Sequence, residues 1–367
     1  MKVDIYYDLL DADGDTQTVA AAISTNSGAA YNVNATDFTG DIGYPAFTGM
    51  HKHIVWDAAN DLPLFSSTTV RVRITAYDSG APTGMVYIPA GSFTPGNCMS
   101  ASEGWASELP LHSVYVSAFY IDKYEVTSQK WFAVRNWAVA NGYTFENTGS
   151  GKNATHPAQM MNWYDAVKWC NARSQMEGLT PCYYTSTVFA AETMYKAGPV
   201  DVSNDWVNWS ANGDRLPTEA EWEKAARGGT PGHRFPWSDS DEIQHTRANY
   251  YSDTSFSYDT SLTRGYHPTF SSGSSPYTSP AGYFAANACG VYDMAGNVWE
   301  WCWDWHNSTY YSTSPGSNPR GPTSGSYRVL RGGSWNSYAF SARCSVRVNH
   351  LPNNQNDDVG FRCVRGL

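Results

Sequence analysis

Polar and apolar residues alternate most sharply over Trp299–Trp305. Four tryptophans (Trp299, Trp301, Trp303 and Trp305) interleave there with Glu300, Cys302 and Asp304. A period of two predicts a strand with an aromatic wall turned into a core and polar groups pointing the other way. Val3–Leu9, Thr16–Ser24 and Val70–Tyr77 also read as strands; in the last, Val70, Val72, Ile74 and Ala76 alternate with Arg71, Arg73 and Thr75, the mark of a strand wet on one face. Turn residues at Asp11–Asp15, Thr39–Asp41 and Asn60–Asp61 break this region into short strands at sandwich-like spacing. Residues 1–79 are therefore expected to form a small all-β sandwich, followed by the linker Asp78-Ser-Gly-Ala-Pro-Thr-Gly.

The pattern then changes. Met85-Val-Tyr-Ile and Pro110–Val126 read as strands, and three helical segments follow. One covers Trp131–Asn141 behind a cap at Thr127 or Ser128. A second starts at Trp163 and turns Val167, Trp169 and Cys170 inward. A third spans Leu216–Arg227, where Thr218 and Glu221 make a capping box and the acidic residues read as cap and dipole groups. Most of 229–367 reads as loop, a length that bound ions and disulfides usually account for. Residues 80–367 are thus expected to be a loop-rich α+β domain with a few helices.

Length adds to this picture, since 367 residues predict two domains better than one. Charged residues are only 16% against 15% aromatics, which suits aromatic packing among loops rather than a helical enzyme. The net charge of −10, with no basic cluster, argues against nucleic acid or an anionic membrane as partner. No apolar run reaches the length of a membrane span, and the N-terminus lacks the apolar stretch of a signal peptide.

Candidate chemistry gathers at few places. Asp293, Gly296, Asn297 and Glu300 set oxygen donors around a turn just before the tryptophan strand. Those residues alone leave two readings open, an Asx-type turn and a Ca²⁺ site. Asp11, Asp13 and Asp15 start like an EF-hand loop but lack its glycine and final glutamate, so a polar turn is expected. His51 and His53 are read as two solvated histidines. The seven cysteines show no CxxC. Pairings of Cys302 with Cys344 and of Cys182 with Cys289 are one reading, and the odd count leaves one thiol free, Cys98 in its loop; all thiols reduced and buried is the other reading. No GxSxG, P-loop or HExxH occurs. Near the C-terminus, Trp335–Gln355 offers Asn336, Tyr338, Phe340, Arg347, Asn349, His350, Asn353, Asn354 and Gln355, with Trp299, Ser334 and Trp335 at its edge. Aromatics with short amides suit a recognition loop, and asparagines bonding their own backbone are the alternative.

Eight segments in order, GMVYIPAGSF (84–93), ELPLHSVYVSAFYIDKYEVTSQKW (108–131), HPAQMMNWYDAVKWCN (156–171), RLPTEAEWEKAARGG (215–229), FPW (235–237), GVYDMAGNVWEW (290–301), RVLRGGSW (328–335) and VGFRCVR (359–365), resemble the formylglycine-generating enzyme, or sulfatase-modifying-factor, family. The resemblance implies a looped variant of the C-type lectin fold, and the first module resembles the immunoglobulin or fibronectin-III-like domains that accompany it. It implies a Cys170–Cys363 disulfide. It also implies one structural calcium on the Asp293 and Glu300 side chains and the Gly296 and Val298 carbonyls, and a second on Asn249, the Tyr250 carbonyl and Asp259. The family enzyme oxidises a cysteine of a client sulfatase with copper held by two thiolates just after the Gly-Gly-Ser motif. Here Ser334–Arg343 contains no cysteine, Ser337 stands near the first expected position, and Cys344 matches a structural cysteine, so copper is not expected. The segment 335–358 also resembles the variable region of retroelement-diversified receptors. The resulting expectation is a non-catalytic, extracytoplasmic, calcium-stabilised protein. It would bind a protein or glycan through its C-terminal loops, alone or as a homo-oligomer in a surface assembly. A sulfatase-maturing oxidase and a diversified receptor are the alternatives.

Overall fold

A computed structural model describes residues 2–367 apart from 11–16, 29–30, 32, 34, 47, 63–68, 79–80 and 101. The Asp11–Asp15 turn therefore lies outside the described residues. The chain divides into two compact units, Met1–Tyr87 and Ile88–Leu367.

In the first unit, β1 (Lys2–Leu9), β5 (Gly49–Asp57) and β3 (Phe38–Gly40) form one antiparallel sheet in the order β1-β5-β3. The strands β4 (Gly43–Ala46), β2 (Gln17–Ser24) and β6 (Arg71–Asp78) form another in the order β4-β2-β6. Leu9 and Ile54 of the first sheet are buried with Val19 and Ala46 of the second, so the sheets share a core as a sandwich does. A short helix, α1 (Ala58–Asp61), is capped by Asp57. His53 pairs with Asp4 at 2.8 Å on the surface.

Short strands open the second unit, and the division falls within β7 (Met85–Ile88). The strands β8 (Gly91–Phe93) and β9 (Val114–Val116) form a hairpin-like pair, and β10 (Phe119–Asp122) follows. Helix α2 (Ser128–Ala140) begins as its sequence dictates, with the Thr127 hydroxyl accepting from the Lys130 N–H. Helix α3 (Trp163–Met176) is capped by Asn162 and is buried from Trp163 to Ser174. Helix α4 (Glu219–Ala226) carries the Thr218–Glu221 capping box. Two small sheets tie these together. In one, β16 (Val364–Gly366) lies between β11 (Asp214–Arg215) and β10. In the other, the order is β14-β13-β12-β15, built from β14 (Val348–His350), β13 (Arg328–Arg331), β12 (Trp299–Trp305) and β15 (Val359–Gly360). The β12–β15 pair is parallel and the rest antiparallel. Trp131, Trp163, Trp169, Trp299, Trp301 and Trp303 share the main core. The result is the expected loop-rich α+β architecture with few helices.

The strand β12 corrects one expectation. All seven residues are buried, so its polar face is not wet. Glu300 is received by the Arg362 guanidinium and an indole, and Asp304 by the N–H at the start of α4. A buried carboxyl group needs such donors in place of water. The acidic residues of α4 likewise do more than cap. Glu219 binds Arg347, Glu221 binds Arg215, and Glu223 binds Arg227 and Arg331, all deep in the unit.

Candidate functional site

The turn before β12 is a buried polar hub. Asp293 and Asn297 hold positive φ (55° and 64°), a conformation Asp and Asn tolerate better than other side chains. Gly296, at φ +83°, presses so close that an added Cβ would lie 2.2 Å from the Asn249 carbonyl oxygen, so only glycine fits. The Asn297 N–H donates to that same carbonyl at 2.8 Å, joining the 249 loop to the turn.

Three carboxylates converge there around one guanidinium. Glu300 accepts two bonds from Arg362 at 2.7 Å each and one from the Trp222 indole at 2.8 Å. Glu125, which sequence reading missed, accepts from the Asn297 amide at 2.7 Å and the Val298 N–H at 3.2 Å. Burial, with Asp293 and Glu300 nearby, pushes the Glu125 carboxyl well up. Burial also lifts Asp293 to about 6. One oxygen of Asp293 accepts from the Gly282 N–H at 2.5 Å, and the other is buried without a partner.

An orphaned carboxylate oxygen and an excess of negative charge are what a hard cation would relieve. The expected ligands Asp293, Gly296 and Val298 lie on this turn, and Asp293 offers the free oxygen. Glu300 is already held by Arg362. Among the described residues no three His, Cys, Asp or Glu side chains are grouped to hold a metal. A calcium here would thus lean on amide and main-chain oxygens beside Asp293. The other expected set fits poorly. Asp259 already receives Tyr250 and Ser252 hydroxyls, the Ser261 and Asp253 N–H groups and Arg264. The Tyr250 carbonyl faces His245 at 3.1 Å. Of that set, the Asn249 side-chain oxygen is left unpartnered.

The turn also positions the C-terminal loop. Trp335 donates its backbone N–H to the Asn297 carbonyl at 2.8 Å, and Gly296 donates to Gly332 at 2.8 Å. Ser334, fully buried, touches the Ser337 hydroxyl and Asp358 at 2.9 Å each. Beyond it the chain rises to the surface: Asn336 and Tyr338 are exposed, Tyr338 by half. Aromatic rings that sequence reading did not single out gather round them. Tyr251 packs against Tyr266 (4.9 Å) and Tyr338 (5.4 Å), and Tyr277 packs against Tyr266 (4.8 Å) and Trp335 (5.3 Å). The Tyr266 hydroxyl donates to Asn336 at 3.1 Å.

The remaining candidates separate. Arg347 is buried and bound to Glu219 by two contacts of 2.6 Å, so it is a scaffold residue and not a surface contact. Trp299 and Ser334 are buried as well. Phe340 is half-buried against Trp105 and Phe256. Asn349 reaches His306 at 3.4 Å, and Asn354 meets His350 at 2.9 Å.

The thiols of Cys170 and Cys363 lie 3.6 Å apart, unbonded. Cys302 and Cys344 do not pair: the Cys302 thiol sits over the Glu300 carbonyl at 4.0 Å, while Cys344 lies among Arg227, Glu223 and Arg331. Cys182 faces the Gly213 carbonyl and Cys289 lies near Lys224, so they do not pair either.

Comparison with known proteins adds the following. A family model described as the sulfatase-modifying factor enzyme 1-like domain matches residues 74–367. A protein named chaperone protein LppX from Paenibacillus barcinonensis is 35% identical over 259 residues, 69% of this chain and 82% of that protein. A formylglycine-generating enzyme of Streptomyces coelicolor is 30% identical over 308 residues, 77% of this chain and 88% of the enzyme. This chain spans only 38% of another relative, a serine/threonine-protein kinase of Chlamydia pneumoniae. Among solved structures, Treponema denticola variable protein 1 is 31% identical, with a TM-score of 0.57 over 77% of this chain and 94% of that one.

Proposed function

Because the chain belongs to the sulfatase-modifying factor enzyme 1-like family, we propose that it keeps the family scaffold for binding rather than for oxidation. The exposed Asn336–Tyr338 segment and the tyrosines behind it form a recognition face for a macromolecular ligand, a protein surface or a glycan. One observation carries this reading: an exposed tyrosine–amide cluster is seated on a rigid buried hub. Tyrosine offers large contact area at low entropic cost, and asparagine offers adaptable hydrogen bonds. One Ca²⁺ on the Asp293 turn would hold that hub in place without taking part in chemistry. An extracytoplasmic setting suits the adjacent Cys170 and Cys363 thiols, which would close there.

The rival reading, a sulfatase-maturing oxidase, draws on the similarity to the Streptomyces enzyme. Against it stands the chain between Ser334 and Arg343, which offers hydroxyls and no thiol. Soft Cu(I) prefers sulfur.

Two measurements decide. Secreted-protein and glycan arrays are probed with the wild-type chain and with Asn336→Ala/Tyr338→Ala. Selective binding that the double variant loses at least tenfold, with unchanged thermal stability, is expected. Stoichiometric Cu(I) uptake with aldehyde formation on a cysteine peptide would overturn the proposal.

A further inference from the structure

The cysteines that sequence order leaves apart meet at Arg227. The Cys98 thiol points at the His233 carbonyl at 3.6 Å. The Arg227 guanidinium contacts that sulfur at 3.5 Å and the same carbonyl at 3.4 Å. One residue further along, the Arg234 carbonyl accepts the Cys344 N–H at 2.9 Å. Consecutive carbonyls thus hold the two cysteines, and Arg227 touches the Cys98 sulfur and lies near enough to Cys344 to feel its charge. Cys98 is partly exposed and Cys344 is buried.

We infer that Cys98 and Cys344 are a thiol pair that closes to a disulfide, joining the polar loop after β8 to the segment after the Gly332-Gly333 turn. The order of events follows from access and charge. Cys98 is the sulfur a donor can reach, and the Arg227 guanidinium lies 3.5 Å from it. Its thiolate attacks one sulfur of a low-molecular-weight disulfide such as oxidised glutathione. The Cys98–glutathione bond forms, the donor S–S bond breaks, and one glutathione thiolate leaves. Cys344, whose thiol burial pushes up to about 12, then loses its proton and attacks the Cys98 sulfur. The second glutathione leaves as its thiolate. Two electrons pass to the donor, and the two thiol protons are taken up by the departing glutathiones. Arg227 is anchored by Glu223 at 2.6 Å and by the Gly96 carbonyl at 2.6 Å, so it also keeps the Cys98 loop in reach.

The test is a peptide map of the whole chain after incubation with excess oxidised glutathione, with free thiols alkylated under denaturing conditions. A linked Cys98–Cys344 peptide, lighter by two hydrogens than the separate peptides, is expected. In Cys344→Ser the exchange should stop at the first stage, leaving Cys98 as its glutathione adduct. Cys98 carrying glutathione while Cys344 of the wild type remains alkylatable would overturn the inference, and so would a Cys302–Cys344 link.

Discussion

Glu223 is among the most heavily bonded carboxylates described in the second unit, and Glu223→Gln isolates what its charge does. The wild-type side chain is fully buried. It receives Arg227 at 2.9 and 2.6 Å, Arg331 at 2.5 Å, the Gly96 N–H at 2.8 Å and the Tyr311 hydroxyl at 3.2 Å. Glutamine preserves volume, so no cavity opens. It removes the carboxylate that both guanidiniums share and turns an amide N–H₂ toward their donors. Arg331 keeps Glu219 only at 3.7 Å. Removing one partner of a buried pair costs about 3–5 kcal/mol, because the remaining charge stays buried. At about 2–4 °C per kcal/mol, the melting temperature of a unit this size should fall by about 10 °C. Urea unfolding followed by tryptophan fluorescence measures the loss directly, and an unchanged slope would show that the unfolded state is not altered. Adding Arg331→Met should restore part of the stability, since one stranded cation is then gone. A loss below about 1 kcal/mol, the scale of an exposed pair, would refute the claim that this lattice holds the scaffold. Acid gives the same test by another route. Burial opposes ionisation of Glu223, but Arg227 and Arg331 hold its carboxyl below the usual range. Its contribution should therefore persist above the ordinary carboxylate pKa and vanish as pH falls through the lowered one.

Two further outcomes are expected. Burial, reinforced by Glu219, lifts Asp304 to about 8, so the native state holds a proton that the unfolded chain has released. Stability should then fall as pH rises from the ordinary Asp range toward about 8, by at most about 1.4 kcal/mol per pH unit; Asp304→Asn should flatten that slope, and an unchanged profile would contradict the assignment. Calcium at about a hundredfold excess over its dissociation constant should stabilise the wild type by about 2.7 kcal/mol. Asp293→Ala should abolish that gain in a thermal melt with and without chelator, and equal gains in both proteins would remove the ion from this turn.

Local signals in the sequence carried far. Thr127, Thr218 and Glu221 announce helix starts that the structure contains, because a cap acts over three residues. The ordered motifs led to the family and to the loop-rich fold. What stayed hidden depends on partners far along the chain. Nothing near Glu219 indicates that Arg347 will neutralise it, and nothing in KYEVT marks Glu125 as a member of the Asp293 hub. The tyrosines 251, 266 and 277 looked like ordinary loop residues until the fold set them beside Tyr338. The Cys302–Cys344 and Cys182–Cys289 pairings failed for the same reason, since order along the chain says little about which sulfurs share a neighbour.

Arg328 differs from every other buried arginine described above. It has no carboxylate in contact among the described residues; its guanidinium lies 3.4 Å from the Trp305 ring centroid and 3.6 Å from that of Trp163, with one N–H on the Trp303 carbonyl at 2.6 Å. Attraction between a cation and indole faces does not titrate in acid. Conditions that protonate the glutamates and dissolve the ion-pair lattice leave this stack intact. The tryptophan kernel around α3 and β12 is thus built to outlast its surroundings at low pH, and its near-ultraviolet circular dichroism would fade after the other signals.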